Sequence, residues 1–444
     1  MSAINEANAF IAKAKNKINT KYRLNYHMMP PTGWMNDPNG LIYFNGKYHL
    51  FYQFNPYDAN TGKMCWGHFE SEDLVSYTDL GVAIMHDGEN ESVFSGGAVE
   101  EDGKLVAYYT LHTEKENKTE EVYKAVSSDG IIFSEGVKVF DNETLPENIS
   151  RVDFRDPCPV KIGDAYYVFV GGKDIRTNKG LIVVLGGKSA DKLEYKFCLG
   201  PYYELGDMGE CPSYFEVGGK DVILASGCNV PPRGNDFKNI NSSVFIVGKL
   251  DFEKGAMDVD FIKEIDKGDT FYAPQFIRGA EKPLMVGWFE MWNKPYPTRD
   301  MGHGWTGAFS IPREIESKDG DIFQSPIQAL DLYEIEDGKI PKSADIAFEF
   351  TGAGTVEISG DNGKIIIGND GAVYLENSFA GVRRTNGSYG RCKVRALVDV
   401  SGIEVFVDGG REVISSRMYI DGDYRIKTTG AVNGLKIRGI RRKQ

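Results

Sequence analysis

Three acidic residues, each with a proline one or two positions later, are the residues of this chain best suited to chemistry. They stand in the segments Asn36-Asp37-Pro38, Arg155-Asp156-Pro157 and Glu210-Cys211-Pro212. An acid beside a proline commonly forms a turn, so each segment alone indicates little. If the three acids met in one poorly solvated site, they would raise one another's pKa. Glycoside hydrolysis uses such a set, with one ionised carboxylate to attack the anomeric carbon and one protonated carboxyl for the leaving oxygen.

A site for a hard cation is the main alternative use of these acids. Calcium and magnesium sites draw on clustered oxygen ligands, and the chain has no EF-hand spacing. The six cysteines are scattered without CxxC spacing, which favours reduced thiols over a zinc site or a disulfide framework. We therefore expect neither a metal nor a cofactor.

Five similar segments indicate the elements that would position the acids. Each has a turn followed by an apolar and aromatic strand, and the segments begin at Lys47, Lys104, Asp164, Lys220 and Lys282, at spacings of 57, 60, 56 and 62 residues. A repeat of about sixty residues with several strands is typical of a propeller blade. One or two β-sandwiches would fit the strand content but not the period. The three acids precede their segments by 10, 8 and 10 residues, so in a closed ring they would converge on the central funnel.

The sequence predicts an all-β protein in three parts. An N-terminal helical extension is expected over residues 1–25, and a five-bladed β-propeller catalytic domain over residues 26–335. From 340 to 444, alternating strands bounded by Gly, Asn and Asp are typical of a β-sandwich, which we expect to be a structural cap. The sequence pattern does not distinguish between a monomer and a dimer.

Charge and hydropathy exclude several classes of partner. The formal net charge of −13 argues against binding to nucleic acid or to an anionic membrane surface. The N-terminal segment has no uninterrupted apolar run, and no window approaches the roughly 18 apolar residues of a membrane span. We therefore expect a cytoplasmic protein whose partner is a small sugar.

The motifs, taken in order along the chain, resemble those of family-32 glycoside hydrolases, which include the invertases, sucrose-6-phosphate hydrolases, inulinases and levanases. The similar segments are Trp34-Met35-Asn36-Asp37-Pro38-Asn39-Gly40, Trp66-Gly67-His68, Phe94-Ser95-Gly96, Phe154-Arg155-Asp156-Pro157, Glu210-Cys211-Pro212, Phe271-Tyr272-Ala273-Pro274-Gln275, Gly287-Trp288, Ile311-Pro312-Arg313-Glu314 and Ile403-Glu404-Val405-Phe406. The resemblance covers about residues 24 to 420. It implies a five-bladed propeller followed by a β-sandwich, in agreement with the repeats.

The resemblance also implies a role for each acid. Asp37 would be the nucleophile that forms a fructosyl ester, Glu210 the general acid and then base, and Asp156 the residue that stabilises charge on the ring and binds fructose hydroxyls. Arg155 could keep the third of these acids ionised. The positions that would line the fructose subsite are Trp34, Asn36, Gln53, Trp66, Phe94, Ser95, Arg155, Tyr272 and Trp288.

Three positions depart from the family pattern, so the sequence does not identify the group that leaves from the fructose. Gly209 stands where an aromatic residue is frequent, Ser213 where an acid is frequent, and Gly97 where a serine is frequent. Sucrose, sucrose 6-phosphate and short fructo-oligosaccharides all remain as substrates. So does transfer of fructose to a sugar acceptor, and, least favoured, a carbohydrate-binding propeller without catalysis. A phosphate would need loop cations such as Lys63, Lys173, Arg176, Arg233, Lys294 or Arg299.

Overall fold

The computed structural model describes residues 2–114, 118–189, 191–335 and 339–441. Five antiparallel sheets with four principal strands each are followed by a second all-β domain, which confirms the predicted five-bladed propeller and C-terminal β-sandwich. Within these residues, no helix is both long enough and apolar enough to span a membrane.

The first two blades use the chain up to residue 138. Blade 1 contains β1 (Gly33–Phe44), β2 (Lys47–Asn55), β3 (Cys65–Ser71) and β4 (Thr78–Ile84). Blade 2 contains β5 (Glu91–Glu101), β6 (Lys104–Thr113), β7 (Thr119–Ser127) and β8 (Val137–Lys138).

Blades 3 to 5 follow in the same order of strands. Blade 3 contains β9 (Ile149–Ile162), β10 (Ala165–Asp174), β11 (Lys179–Gly187) and β12 (Glu194–Leu199). Blade 4 contains β13 (Gly209–Val217), β14 (Lys220–Cys228), β15 (Asn241–Asp251) and β16 (Ala256–Glu264). Blade 5 contains β17 (Tyr272–Phe276) and β18 (Leu284–Trp288), then, after the two-residue β19 (Trp305–Thr306), β20 (Arg313–Lys318) and β21 (Asp321–Pro326). Short 3₁₀ turns lie at Asn142–Thr144, Tyr203–Leu205 and Asp408–Gly410, and the one-turn helix α2 at Pro297–Asp300.

The repeated segments of the sequence are the second strands of the blades, β2, β6, β10, β14 and β18. These strands lie inside each sheet and are covered on both faces by neighbouring blades, so they are apolar almost throughout. Separate hydrophobic clusters fill the spaces between successive blades around the ring. Burial of these faces between successive blades holds the blades together around the ring.

Each first strand carries an irregularity at the same place in its blade. The pairing register shifts at Asn36-Asp37, Ser95, Asp156-Pro157, Cys211-Pro212 and Ala273-Pro274. Such β-bulges bend a strand and redirect its side chains. Proline is tolerated there because a bulged residue need not donate to the ladder. Residues at or beside the bulges of blades 1 to 4 line one central cavity.

The ring is closed by β19, which pairs in parallel with β1. Gly33 lies opposite Trp305, and Trp34 opposite Thr306. A segment between the second and third strands of blade 5 thus joins the first strand of blade 1.

The helix α1 (Ala3–Ala14) precedes the propeller and packs on blade 1. Ser2 caps it by accepting a hydrogen bond from the Asn5 amide at 3.4 Å. Ala7 and Ile11, one turn apart, are its buried residues. The helix ends at Ala14, and the residues between it and β1 have no regular structure.

The C-terminal domain is built on two long strands that belong to both of its sheets. Its strands are β22 (Asp331–Glu334), β23 (Ala344–Ser359), β24 (Lys364–Asn369), β25 (Val373–Asn377), β26 (Gly381–Arg384), β27 (Cys392–Asp399), β28 (Gly402–Val407), β29 (Glu412–Arg417) and β30 (Arg425–Arg441). The first half of β23 pairs with β27 and its second half with β24, while β30 follows it throughout. One hydrophobic core lies between the two sheets.

Buried charges join the propeller to the sandwich. His27 Nδ1 lies 2.9 Å from Asp399 Oδ2, and its Nε2 lies 3.0 Å from Glu404 Oε1. Arg313 Nη2 donates to Glu404 Oε2 at 2.6 Å and to Asp266 Oδ2 at 2.9 Å. All of these side chains are fully buried. Each of these buried charges therefore has a partner of opposite sign at the contact between the two domains.

Candidate active site

The bulges of blades 1 to 4 face a cavity of about 720 Å³ at the centre of the ring. It is lined by all three acids of the sequence prediction together with Asn36, Gln53, Phe94, Ser95 and Arg155. The acids do not share one position in their blades. Asp37 is the second residue of its bulge, Asp156 is the first of its bulge, and Glu210 immediately precedes its bulge.

Asp37 lies deep in the cavity wall. Ser95 Oγ donates to its Oδ2 at 2.7 Å, and the Cys211 thiol lies 3.7 Å from the same oxygen. Its other oxygen, Oδ1, is buried and has no hydrogen-bond partner among the described residues. Burial raises the pKa of Asp37 to about 6, although the hydrogen bonds from Ser95 and Asn36 oppose the change. One oxygen is therefore held in place and the other is unengaged.

Asp156 is held by backbone groups at a strained position. Its φ is +66°, and its amide donates to Thr110 Oγ1 at 2.8 Å. Its Oδ2 accepts from the Cys211 amide at 2.9 Å and lies 3.4 Å from the Cys211 sulfur. Burial raises the pKa of Asp156 to about 7 against the opposing effect of Arg155. The Cys211 thiol thus lies within 4 Å of both Asp37 and Asp156.

Glu210 lies between Arg155 and Tyr272, the residues at the equivalent positions of the two flanking blades. Arg155 donates to Glu210 Oε1 from Nε at 3.1 Å and from Nη2 at 2.5 Å, and Tyr272 OH donates to Oε2 at 2.5 Å. Burial favours the protonated form of Glu210, but Arg155 and the Tyr272 hydroxyl outweigh it, so the pKa is lowered. At neutral pH Glu210 is therefore ionised.

Arg155 has a second carboxylate partner, Glu120, which sequence reasoning missed. Arg155 Nη1 donates to Glu120 Oε2 at 3.0 Å, and Lys118 Nζ lies 2.9 Å from Oε1. Burial opposes ionisation of Glu120, but Arg155, His112 and Lys118 together lower its pKa to about 2. No motif in the sequence pointed to Glu120, and its pairing with His112 across β6 and β7 is seen only in the structure.

The predicted aromatic residues divide into a lining and a supporting group. Phe94 lines the cavity and stacks on His112 with ring centroids 4.2 Å apart. Trp66 is fully buried behind it and donates from Nε1 to the Phe94 carbonyl at 3.0 Å. Gln53 also supports this wall while lining the cavity, because its Nε2 donates to the Val93 carbonyl at 3.0 Å.

Trp34 and Trp288 support the opposite wall. Both are buried and pack on Trp292, which lines the cavity and which the sequence analysis did not single out. Trp34 Nε1 donates to Asn36 Oδ1 at 2.8 Å, so the aromatic cluster orients the residue beside Asp37. Tyr272 is likewise buried and acts on the cavity through Glu210.

Among the described residues, no group of three or more His, Cys, Asp and Glu side chains has the arrangement of a metal site. The arrangement instead resembles the carboxylate set of a double-displacement glycosidase. A carboxylate with one unengaged oxygen faces a second acid whose proton affinity is governed by a neighbouring cation.

Comparisons with known proteins agree with this geometry. The family model for the glycosyl hydrolases family 32 N-terminal domain matches residues 27–326, and the model for the family 32 C-terminal domain matches residues 354–436. A sucrose-6-phosphate hydrolase of Vibrio alginolyticus is 31% identical over 91% of this chain and 88% of its own length. A raffinose invertase of Escherichia coli is 30% identical over 94% of this chain and 93% of its own. The structure of a Bombyx mori β-fructofuranosidase superposes with a TM-score of 0.87 at 32% identity, covering 99% of this chain and 98% of that one.

Proposed function

The chain belongs to glycosyl hydrolase family 32, and from that membership we propose that it is a retaining β-fructofuranosidase. It releases terminal β-D-fructofuranosyl groups from sucrose, sucrose 6-phosphate or short fructo-oligosaccharides. The observation that carries the proposal is the convergence of Asp37, Asp156 and Glu210 on one cavity.

Asp37 is the nucleophile in this proposal. A carboxylate oxygen of Asp37 forms a bond to the anomeric carbon of the fructosyl group as the bond from that carbon to the leaving oxygen breaks. Glu210 gives its proton to the leaving oxygen, so the glucosyl part departs as an alcohol. In the second step Glu210 takes a proton from water, the oxygen of that water attacks the anomeric carbon, and the ester to Asp37 breaks. Two displacements leave the released fructose in its original configuration.

Asp156 stabilises the positive charge that develops on the ring and accepts hydrogen bonds from fructose hydroxyls. Burial raises the pKa of Asp156 to about 7, so Asp156 is partly protonated near neutral pH, whereas the pKa of Glu210 is lowered and Glu210 is ionised. Hydroxyl donors on a bound fructose favour ionised Asp156, and the sugar also removes water from around Glu210. Substrate binding therefore shifts the shared proton toward Glu210, where catalysis needs it.

Two substitutions separate the roles of the acids. Asp37→Asn is expected to lower kcat for both sucrose and an aryl β-D-fructofuranoside by about 10⁴-fold or more, because no covalent intermediate forms. Glu210→Gln is expected to lower kcat for sucrose by about 10²- to 10⁴-fold. Glu210→Gln should slow the first step on the aryl fructoside much less than it slows the first step on sucrose, because a phenolate leaves without needing a proton.

The measurement is release of fructose and of the aryl alcohol, with burst kinetics for Glu210→Gln on the aryl substrate. Asp58→Asn, a change in the exposed loop between β2 and β3, is the matched control for loss of a carboxylate. Undiminished sucrose cleavage by Asp37→Asn, or equal losses of Glu210→Gln on the two substrates, would contradict the assignment. Methanol added as an acceptor gives methyl β-fructofuranoside if configuration is retained, and the α-anomer would exclude the mechanism.

A further inference from the structure

Residues 289–304, between β18 and β19, form a segment that contributes Trp292 to the catalytic cavity and also contacts the sandwich. We propose that the sandwich takes part in substrate selection, because it holds this segment and thereby positions Trp292 against the group that leaves from the fructose. Arg417, at the end of β29, is the positioning residue. The inference rests on the proposed function and extends it to the second domain.

The depth of the acids determines where the leaving group lies. Asp37 is 9% exposed and Asp156 is 4% exposed, so a substrate reaches them only with its terminal fructosyl group first. The leaving group then lies toward the more open part of the cavity, which is lined by half-buried and exposed residues. Trp292 is a half-buried lining residue. Because an indole face packs well on the apolar face of a sugar ring, Trp292 contacts the leaving group rather than the fructose.

The propeller supports the ring of Trp292 from one side. Trp34 stacks on it with centroids 5.8 Å apart, and the centroid of Trp288 lies 4.8 Å away. The backbone after Trp292 is also tied to the propeller, since Lys294 Nζ donates to Asp269 Oδ2 at 2.9 Å. The backbone before Trp292 is tied to the sandwich instead.

The first two residues of the segment, Phe289 and Glu290, contact the sandwich. Arg417 Nε lies 3.6 Å from Glu290 Oε1, and the Arg417 guanidinium lies 5.6 Å from the centre of the Phe289 ring. Arg417 Nη2 donates to Ser401 Oγ at 2.9 Å, which fixes the guanidinium within the sandwich. A Cβ on Gly402 would lie 2.4 Å from the Phe289 ring, so the sandwich backbone approaches this ring closely.

The ion pair between the sandwich and the segment is buried. The side chains of Arg417 and Glu290 are 2% and 3% exposed. Burial raises the pKa of Glu290, while Arg417 and Lys294 oppose the change. Without Arg417, Glu290 would retain Lys294 alone among the described cations, and an incompletely paired buried carboxylate favours a shift of the chain toward water. Trp292 is two residues further along, so its ring would move with the segment.

The test compares binding of sucrose with binding of fructose by calorimetry, in variants of the inactive Asp37→Asn protein. Fructose occupies the inner part of the cavity alone, so its affinity should not change. Trp292→Ala should weaken sucrose binding about 5- to 10-fold, and Trp292→Phe, which keeps an aromatic face, should restore most of the affinity. Glu290→Gln and Arg417→Lys should weaken sucrose binding about two- to tenfold.

Two substitutions on opposite sides of the ion pair guard against a loss of folding. Glu290→Gln keeps the shape of the side chain and Arg417→Lys keeps the charge, so either serves if the other destabilises the protein. Arg395→Gln is the matched control, because Arg395 pairs with Asp345 at 2.9 Å within the sandwich, and it should change neither affinity. In the active protein the Glu290 and Arg417 variants should raise KM for sucrose and leave kcat nearly unchanged.

A double variant tests whether the sandwich acts through Trp292. In Trp292→Ala, the further change Arg417→Lys should cause no additional loss of sucrose affinity. Additive losses, or unchanged sucrose affinity in both Glu290→Gln and Arg417→Lys, would overturn the proposal, as would equal weakening of fructose and sucrose binding. Binding needs no turnover, so these outcomes are distinct from a failure of the proposed function, which would appear as absence of sucrose cleavage by the unaltered protein.

Discussion

Arg155 is a positive charge shared by two of the acids that line the central cavity. One guanidinium serves two buried carboxylates, Glu210 through Nε and Nη2 and Glu120 through Nη1. The pKa of Glu210 is thereby lowered, while burial raises the pKa of Asp37 and Asp156. Because these groups interact, the pH dependence of the reaction reports the set rather than a single residue.

Replacing Arg155 with Gln should change both the rate and its pH dependence. Without the positive charge, burial raises the pKa of Glu210, so the acid keeps its proton to higher pH and the alkaline limb of kcat/KM moves upward. We expect kcat/KM at the optimum pH to fall about 10- to 100-fold, which corresponds to the free energy of the charge-assisted hydrogen bonds that are lost. In both proteins kcat/KM should fall below about pH 6, where Asp37 takes up a proton and no longer attacks.

Sucrose kinetics across the pH range provide the measurement. Arg151→Gln is the control, since Arg151 lies on the same strand, pairs with Glu143 at 3.4 Å and does not line the cavity. An alkaline limb that does not move in Arg155→Gln would show that Arg155 has no part in setting the proton affinity of Glu210.

The convergence of the three carboxylates on one cavity could be predicted from sequence, because each is followed by a proline within two residues and precedes a repeated segment by 8 to 10 residues. The different positions of the three acids within the bulges could not be predicted. The spacings of 10, 8 and 10 residues between each acid and its repeated segment do not show where the pairing register of each strand shifts. Glu120 was missed for another reason. Its partner Arg155 is 35 residues away in sequence, and only the packing of blade 2 against blade 3 joins them.

At the scale of the strand, the bulges explain why prolines accompany the acids. Asp156, Cys211 and Ala273 have φ values of +66°, +46° and +49° at equivalent positions of successive blades. Each precedes a proline that makes no ladder hydrogen bond. The five second strands could be predicted from their apolar pattern, whereas the bulges depend on pairing between strands and leave only the proline as a signal.

Gly209, which departs from the family pattern, lies where β13 packs against blade 3. A Cβ on Gly209 would lie 2.6 Å from the Leu181 carbonyl oxygen, a backbone atom that cannot move aside cheaply. Gly209→Ala should therefore lower the free energy of unfolding by about 1–3 kcal/mol, and it should reduce kcat/KM because Glu210 is the next residue. Thermal unfolding and sucrose kinetics measure the two effects.

Gly390→Ala is the control for this change, because a Cβ there meets no atom within 4 Å. Wild-type stability and activity of Gly209→Ala would mean that blades 3 and 4 can separate without cost. The direction of the missing side chain also shows that Gly209 faces the contact between blades rather than the catalytic cavity.

For the whole molecule, buried charges and shared hydrophobic clusters both join the propeller to the sandwich. Arg313 and Glu404 belong to two motifs far apart in sequence, and the structure joins them at 2.6 Å. The sequence predicted two domains but not this contact, since the order of motifs carries no information about which of them meet. His27 extends the network, and Asp399 and Glu404 raise its pKa although burial opposes them.

Arg313→Met should lower the free energy of unfolding by about 3–5 kcal/mol, because Asp266 and Glu404 would be buried without their cation. Differential scanning calorimetry should show a lower midpoint temperature for the first unfolding transition. The double variant Arg313→Met/Glu404→Gln should be less destabilised than the sum of the single changes. Lys282→Gln, which breaks an exposed ion pair with Glu314, should cost at most about 1 kcal/mol. Additive losses in the double variant would contradict direct coupling.

The parallel pairing of β1 with β19 has a consequence for synthesis on the ribosome. Gly33 and Trp34 emerge early, but their partners Trp305 and Thr306 follow about 270 residues later. One edge of the first blade therefore remains unpaired while the other blades are made, and such an edge is prone to association with other chains. The helix α1 lies against β4, the strand at the opposite edge of blade 1, so it does not take the place of β19 on the free β1 edge before the ring closes.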